Sequence, residues 1–125
     1  MMSDEVQDIP EYETGLARYA FILKDKEGAR REYYLEELNG KRRDAYFNTL
    51  AARTRFDKQG RPAGTRDFDG MYSKLLTLGT YTKDGSVVPE AMIQTWPARV
   101  QEDLVKKLKE LSGLDDDAED KAGND

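Results

Sequence analysis

Between Arg18 and Lys24 the side chains alternate. Tyr19, Phe21 and Leu23 fall on one face of an extended segment, and Ala20 and Ile22 on the other. Residues 30–36 (RREYYLE) alternate less cleanly, with Tyr33 and Leu35 on one side and Tyr34 on the other. The four residues between, Asp25-Lys26-Glu27-Gly28, offer turn chemistry with a glycine for a positive-φ position. The pattern predicts an antiparallel hairpin. A hairpin alone is only marginally stable, so its aromatic face must pack on something later in the chain.

From Gly40 the period lengthens. Tyr46, Phe47, Leu50 and Ala51 recur at helical spacing, while Arg42, Arg43, Asn48 and Arg53 face outward, predicting a helix over about 41–54. Residues 57–65 (DKQGRPAGT) read as a loop or a small second hairpin. Phe68, Met71, Tyr72, Leu75 and Leu76 keep helical spacing again, with Asp67 placed to cap that helix and Gly79 near its end. Residues 80–88 read as an extended turn through Asp84-Gly85. Pro89 and Pro97 each suit the first position of a helix, and the first of these helices ends near Trp96 because a residue before proline is disfavoured in the α region. In the last helix Val100, Leu104, Leu108 and Leu111 form the buried stripe. Glu102–Lys106 and Asp103–Lys107 stand at favourable spacing on the wet side, and Gly113 is placed to end it. The expected fold is α+β, an N-terminal antiparallel β-hairpin packed on a small bundle of three to four helices.

The ends read differently. Residues 1–15 carry Asp4, Glu5, Asp8, Glu11 and Glu13 with no basic residue, and residues 115–125 (DDDAEDKAGND) hold six carboxylates against Lys121. Such segments bury too little to offset chain entropy, so both are expected to be disordered acidic tails flanking a domain at 16–114. The net charge is −5. Its distribution is uneven: residues 40–66 are locally basic through Lys41, Arg42, Arg43, Arg53, Arg55, Lys58, Arg61 and Arg66. A basic waist between acidic tails favours an acidic partner or self-screening.

The chain has no cysteine and no histidine. Thiolate chemistry, disulfides and the commonest general base are therefore excluded. Asp67 and Asp69 are a carboxylate pair, but a helix cap explains the first of them. No catalytic residue, cofactor or metal is expected. An EF-hand frame on Gly85 would put Thr80, Thr82 and Ala91 where ligands must stand, and Gly60 would place Arg55 and Arg66 there. No Gly-rich phosphate loop occurs, and Lys41-Arg42-Arg43 without a nucleic-acid module reads as a solvated helix face. No apolar run approaches a membrane span, and the front lacks the basic-then-apolar pattern of a signal peptide, so a soluble intracellular protein is expected.

The remaining signal is aromatic. Seven tyrosines, four phenylalanines and one tryptophan exceed what one small core holds. Phe21, Phe47, Phe68 and Trp96 are assigned to packing. Tyrosine suits an interface, with an apolar ring and a wet hydroxyl. The candidate partner-binding residues are Tyr19, Tyr33, Tyr34, Tyr46, Tyr72 and Tyr81, with Arg42 and Arg43 as a charged rim.

The run from Tyr33 to Tyr46 (YYLEELNGKRRDAY) resembles the hairpin-to-helix segment of tail assembly chaperones from long-tailed bacteriophages. Phe68-Asp69-Gly70 with Leu75-Leu76 looks like the next family helix. Asp84-Gly85 with Val88 then leads to a helix carried by Trp96-Pro97, Val100 and Leu104, closing at Ser112-Gly113-Leu114. The resemblance covers residues 18–114. It departs at Gly79-Thr80-Tyr81-Thr82, where a more apolar turn is expected. What it implies is a non-catalytic protein of the host cytoplasm, absent from the mature virion. Such proteins coat the tape measure protein, keep its apolar stripes from aggregating and promote tail tube assembly around it. Partners so implied are the tape measure protein, the tail tube protein, further copies of itself and a longer frameshifted form. The competing classes are a tail or neck adaptor built into the virion and a small nucleic-acid-binding module.

Overall fold

A computed structural model describes residues 9–56, 58–65 and 71–114. The chain is α+β. Strands β1 (Arg18–Lys24) and β2 (Arg30–Glu36) form the expected hairpin, with Phe21 opposite Tyr33 and Tyr19 opposite Leu35. Its turn is closed by Asp25, whose N–H donates to Ala29 O while its Oδ1 accepts from Ala29 N. Helix α1 spans Gly40–Arg53, and β3 (Thr54–Phe56) pairs antiparallel with β4 (Pro62–Thr65), so residues 58–65 belong to the small second hairpin. Helix α2 spans Met71–Leu76. Strand β5 (Thr80–Thr82) follows, then the short helix α3 (Glu90–Ile93) and the long helix α4 (Ala98–Leu111). Residues 1–8 of the acidic tail expected at 1–15, the whole tail expected at 115–125, and the expected roles of Asp67 and Phe68 lie outside the described residues, while residues 9–15 carry no helix or strand.

Strand β5 is the main departure from expectation. It pairs antiparallel with β2, placing Tyr81 opposite Tyr34 and Thr80 opposite Leu35, and makes a three-stranded sheet in the order β1-β2-β5. One face of this sheet is covered by α4, which also packs on α2; α2 in turn touches α1 and α3. The core between them comprises Tyr33, Leu35, Leu38, Tyr46, Leu75, Leu76, Val88, Ile93, Leu104, Val105, Leu108 and Leu114. Alternation therefore assigned the faces of β2 correctly, and the α4 stripe holds with Val105 added and Val100 and Leu111 half-buried.

The departure at residues 79–82 has a steric cause. Gly79 is buried where β2, α4 and the α2–β5 link converge. A Cβ there would stand 2.9 Å from Leu108 Cδ1, 3.0 Å from Glu36 O and 3.2 Å from Leu38 Cδ2. Only a residue without a side chain lets Glu36 N–H reach Gly79 O at 2.9 Å. Thr80 is fully buried, and its hydroxyl donates to Leu76 O at 2.6 Å, so a polar side chain is satisfied inside the core.

The helix ends follow local chemistry. Asn39 caps α1, its Oδ1 accepting from Arg42 N at 3.0 Å. Asn39→Ala is expected to destabilise the protein by about 1 kcal/mol, read as a shift in urea midpoint without a change of slope. Pro89 and Pro97 stand one residue earlier than expected, at the capping positions of α3 and α4. Gly113 adopts φ +69° after α4, with Leu114 N–H donating to Lys109 O and Gly113 N–H to Glu110 O. That is a Schellman closure, and buried Leu114 supplies its apolar contact. Neither the Glu102–Lys106 nor the Asp103–Lys107 pair forms: Lys107 instead meets Glu110 at 3.3 Å and lies 5.0 Å above the Tyr19 ring.

Candidate functional site

The structure divides the eight candidate partner-binding residues rather than gathering them. Tyr33 and Tyr46 are buried, 6% and 1% exposed, so Tyr46 belongs to the core and Tyr33 reaches the surface only as the floor of the cleft described below. Tyr46 stands on the inward face of α1 and meets the Phe47 ring edge-on at 5.9 Å. Arg42 is also corrected. Helical spacing put it outward, yet its side chain is only 16% exposed and folds back over the end of β2. Nη2 donates to Glu36 Oε1 and Glu37 O, both at 3.0 Å, and Nη1 donates to Leu78 O at 3.1 Å and Tyr81 Oη at 2.6 Å. It is a structural tie. Arg43 remains on the surface, 3.9 Å from Asp44.

Tyr34 and Tyr81 lie on the sheet face opposite the core, their rings stacked at 5.3 Å. Arg18 sits 4.7 Å above the Tyr34 ring and pairs with Glu36 at 3.0 Å. This face is thus internally satisfied by aromatic and ionic contacts. Tyr19 and Tyr72 are exposed on separate elements, β1 and α2.

A different group of residues forms a cleft of about 580 Å³ between the hairpin tip and the α3–α4 corner. Its apolar floor is built from Leu23 and Tyr33 of the sheet, Met92 of α3, and Trp96, Pro97 and Val100 at the start of α4. The alternation of β1 and β2 turns Leu23 and Tyr33 to the same face. The corner turns Trp96 to meet them: its N–H donates to Ile93 O, and its carbonyl accepts from Gln101 Nε2, both at 3.0 Å. Fully buried Ile93 anchors that corner. The ring centroids of Tyr33 and Trp96 are 5.3 Å apart, those of Phe21 and Tyr33 5.6 Å, and those of Phe21 and Trp96 6.3 Å, a mutually packed aromatic triad.

The rim is basic. Lys24, Lys26, Arg31 and Arg99 border the cleft, against one carboxylate, Asp25, which is engaged in its own turn. Among the described residues none of these four cations is in an ion pair. An adjoining hollow of about 440 Å³ shares Arg31, Tyr33 and Met92 and continues the cleft toward the Thr82–Ser86 turn. There Asp84 accepts hydrogen bonds from the Thr82 hydroxyl and the Ser86 N–H, which hold its carboxyl below the ordinary carboxylate range. A lowered folded-state pKa adds stability that is present above the unfolded value and fades as the pH drops through the folded one. This turn therefore loosens only in acid.

Of this site the sequence singles out only Tyr33, because the other parts carry separate, ordinary explanations. Leu23 reads as part of the hairpin's aromatic face, Trp96 as packing, Pro97 as a helix start, and Lys26 as turn polarity. The signal available for them was the solitary tryptophan directly before the proline that opens the last helix. Chemically, the arrangement offers apolar area, aromatic edges and unpaired cations. Among the described residues no three His, Cys, Asp or Glu side chains converge, and no helix is long and apolar enough to cross a membrane. Compared with protein-family models, curated proteins and solved structures, the chain gives no match.

Proposed function

We propose that this protein is a non-catalytic chaperone whose cleft holds an apolar segment of a larger client, the tape measure protein of a long-tailed phage, and keeps it soluble until the tail tube assembles. The supporting observation is the half-open aromatic cleft with unpaired cations at its rim, since an amphipathic helix needs an apolar groove with anchors and a charged border. The sequence resemblance supplies the client and the setting, the host cytoplasm. In this reading the protein is absent from the finished particle, and no cofactor takes part.

Co-expression with a tape measure protein tests the reading. The client is expected to move from the insoluble to the soluble fraction in the presence of the chaperone. Met92→Glu, at a side chain 38% exposed in the cleft wall, should abolish that rescue while leaving the melting temperature nearly unchanged. A client whose solubility does not respond contradicts the chaperone role. Mass spectrometry of purified particles separates it from a virion adaptor, which would appear there in stoichiometric amount.

A further inference from the structure

The chain carries a segment of the character opposite to the cleft's rim. Ile9-Pro10-Glu11-Tyr12-Glu13 sets two large apolar side chains beside two carboxylates, ahead of β1. Ile9 is 66% exposed and Tyr12 81%. An exposed tyrosine between two glutamates matches an aromatic floor bordered by Lys26, Arg31 and Arg99. We propose that the cleft of one copy takes the Ile9–Glu13 segment of a second copy, with Tyr12 against Trp96 and the glutamates toward the rim cations. This rests on the cleft being a peptide-binding site, as argued above.

The placement of the segment favours the second copy. Ala17 is fixed beside Glu37, accepting from its N–H at 2.8 Å and donating to its Oε1 at 3.0 Å. The strand then runs from Ala17 toward Leu23 at the cleft mouth, six steps or about 20 Å. From Ala17 back to Tyr12 there are five steps, at most about 17 Å fully extended. To enter its own cleft that segment would have to reverse direction and run back along β1. Within a copy, Ile9 and Tyr12 stay exposed and neither lines the cleft, which leaves both available to a neighbour.

The contact so formed is head-to-tail. Each pairing leaves one cleft and one N-terminal segment unused, so association continues into chains or closes into a ring. Client and neighbouring copy then compete for the same floor.

The test uses the full chain. In sedimentation velocity the wild-type mass should climb with concentration beyond the dimer, and rising salt should reverse it. Ile9→Ser with Tyr12→Ser should stay monomeric at every concentration with an unchanged melting temperature, because neither side chain enters the core. Arg99→Glu should weaken association roughly tenfold, as reversal of a rim charge does. Mixing it with Glu11→Lys/Glu13→Lys copies should restore part of the loss. Trp96 is the only tryptophan, so its emission reports the cleft directly. A synthetic peptide of residues 3–15 should shift that emission and dissolve the oligomers. A wild-type chain that stays monomeric, or that oligomerises regardless of the N-terminal substitutions, overturns the proposal. If the peptide leaves Trp96 unmoved while a tape measure fragment shifts it, self-occupancy fails and the cleft reading stands. If neither shifts it, both fail.

Discussion

Leu108→Ala is expected to destabilise the fold by about 3–5 kcal/mol, a large part of the stability of a domain this size. Leu108 is fully buried in the last turn of α4, among the helices and the sheet, so its deletion opens a cavity where no neighbour can collapse easily. The same side chain forms one wall of the niche around Gly79. Gly79→Ala alone should cost about 1–3 kcal/mol, because its new methyl meets Leu108 Cδ1, Leu38 Cδ2 and the backbone carbonyl of Glu36. The two changes should not add. Leu108→Ala removes the closest of the three clashes, so Gly79→Ala should cost measurably less in that background, although Glu36 O remains. Urea unfolding of the four members of the cycle reads this coupling. Strict additivity would show that the niche relaxes by another route.

Arg42→Met should cost about 2–3 kcal/mol, or roughly 10–20 °C in melting temperature for a domain near a hundred residues. The loss is large because Glu36 keeps only its exposed partner Arg18, while Glu37 O, Leu78 O and Tyr81 Oη lose their donor together. Arg43→Met, one residue along, should change stability by no more than about 0.5 kcal/mol, since its pair with Asp44 is exposed and long. Equal effects of the two substitutions would contradict the assignment of Arg42 as the tie between β2, α1 and β5.

This contrast shows what kind of information the linear pattern carries. Alternation in 18–36 and the 3.6-residue stripe of 100–111 are local signals of burial, and they placed the hairpin faces and α4. Gly113 was legible for the same reason, since its conformation is set within one turn of chain. Strand β5 was not legible, because Thr80-Tyr81-Thr82 is short and polar and becomes a strand only by meeting β2. Tyr33 and Tyr46 were assigned to the surface on their hydroxyls, but ring area decides burial when a sheet face and a helix close on them. Arg42 read as solvated because a charge at helical spacing usually is. Its acceptors come from residues 36–37 and 78–81, which the sequence does not bring near. The cleft was hidden most completely. Its floor joins residues 23, 33, 92, 96, 97 and 100, and its cations lie outside the basic stretch at 40–66 that dominated the charge pattern.

The central claim is that the aromatic cleft holds the client, and one titration tests it most directly. A soluble tape measure fragment is added to the full-length protein while Trp96 emission is followed. The account predicts a saturable shift that weakens with salt, disappears in Met92→Glu and is reduced in Arg99→Glu. Binding of the fragment with Trp96 emission unchanged, or equal affinity in both variants, would place the client elsewhere and contradict it.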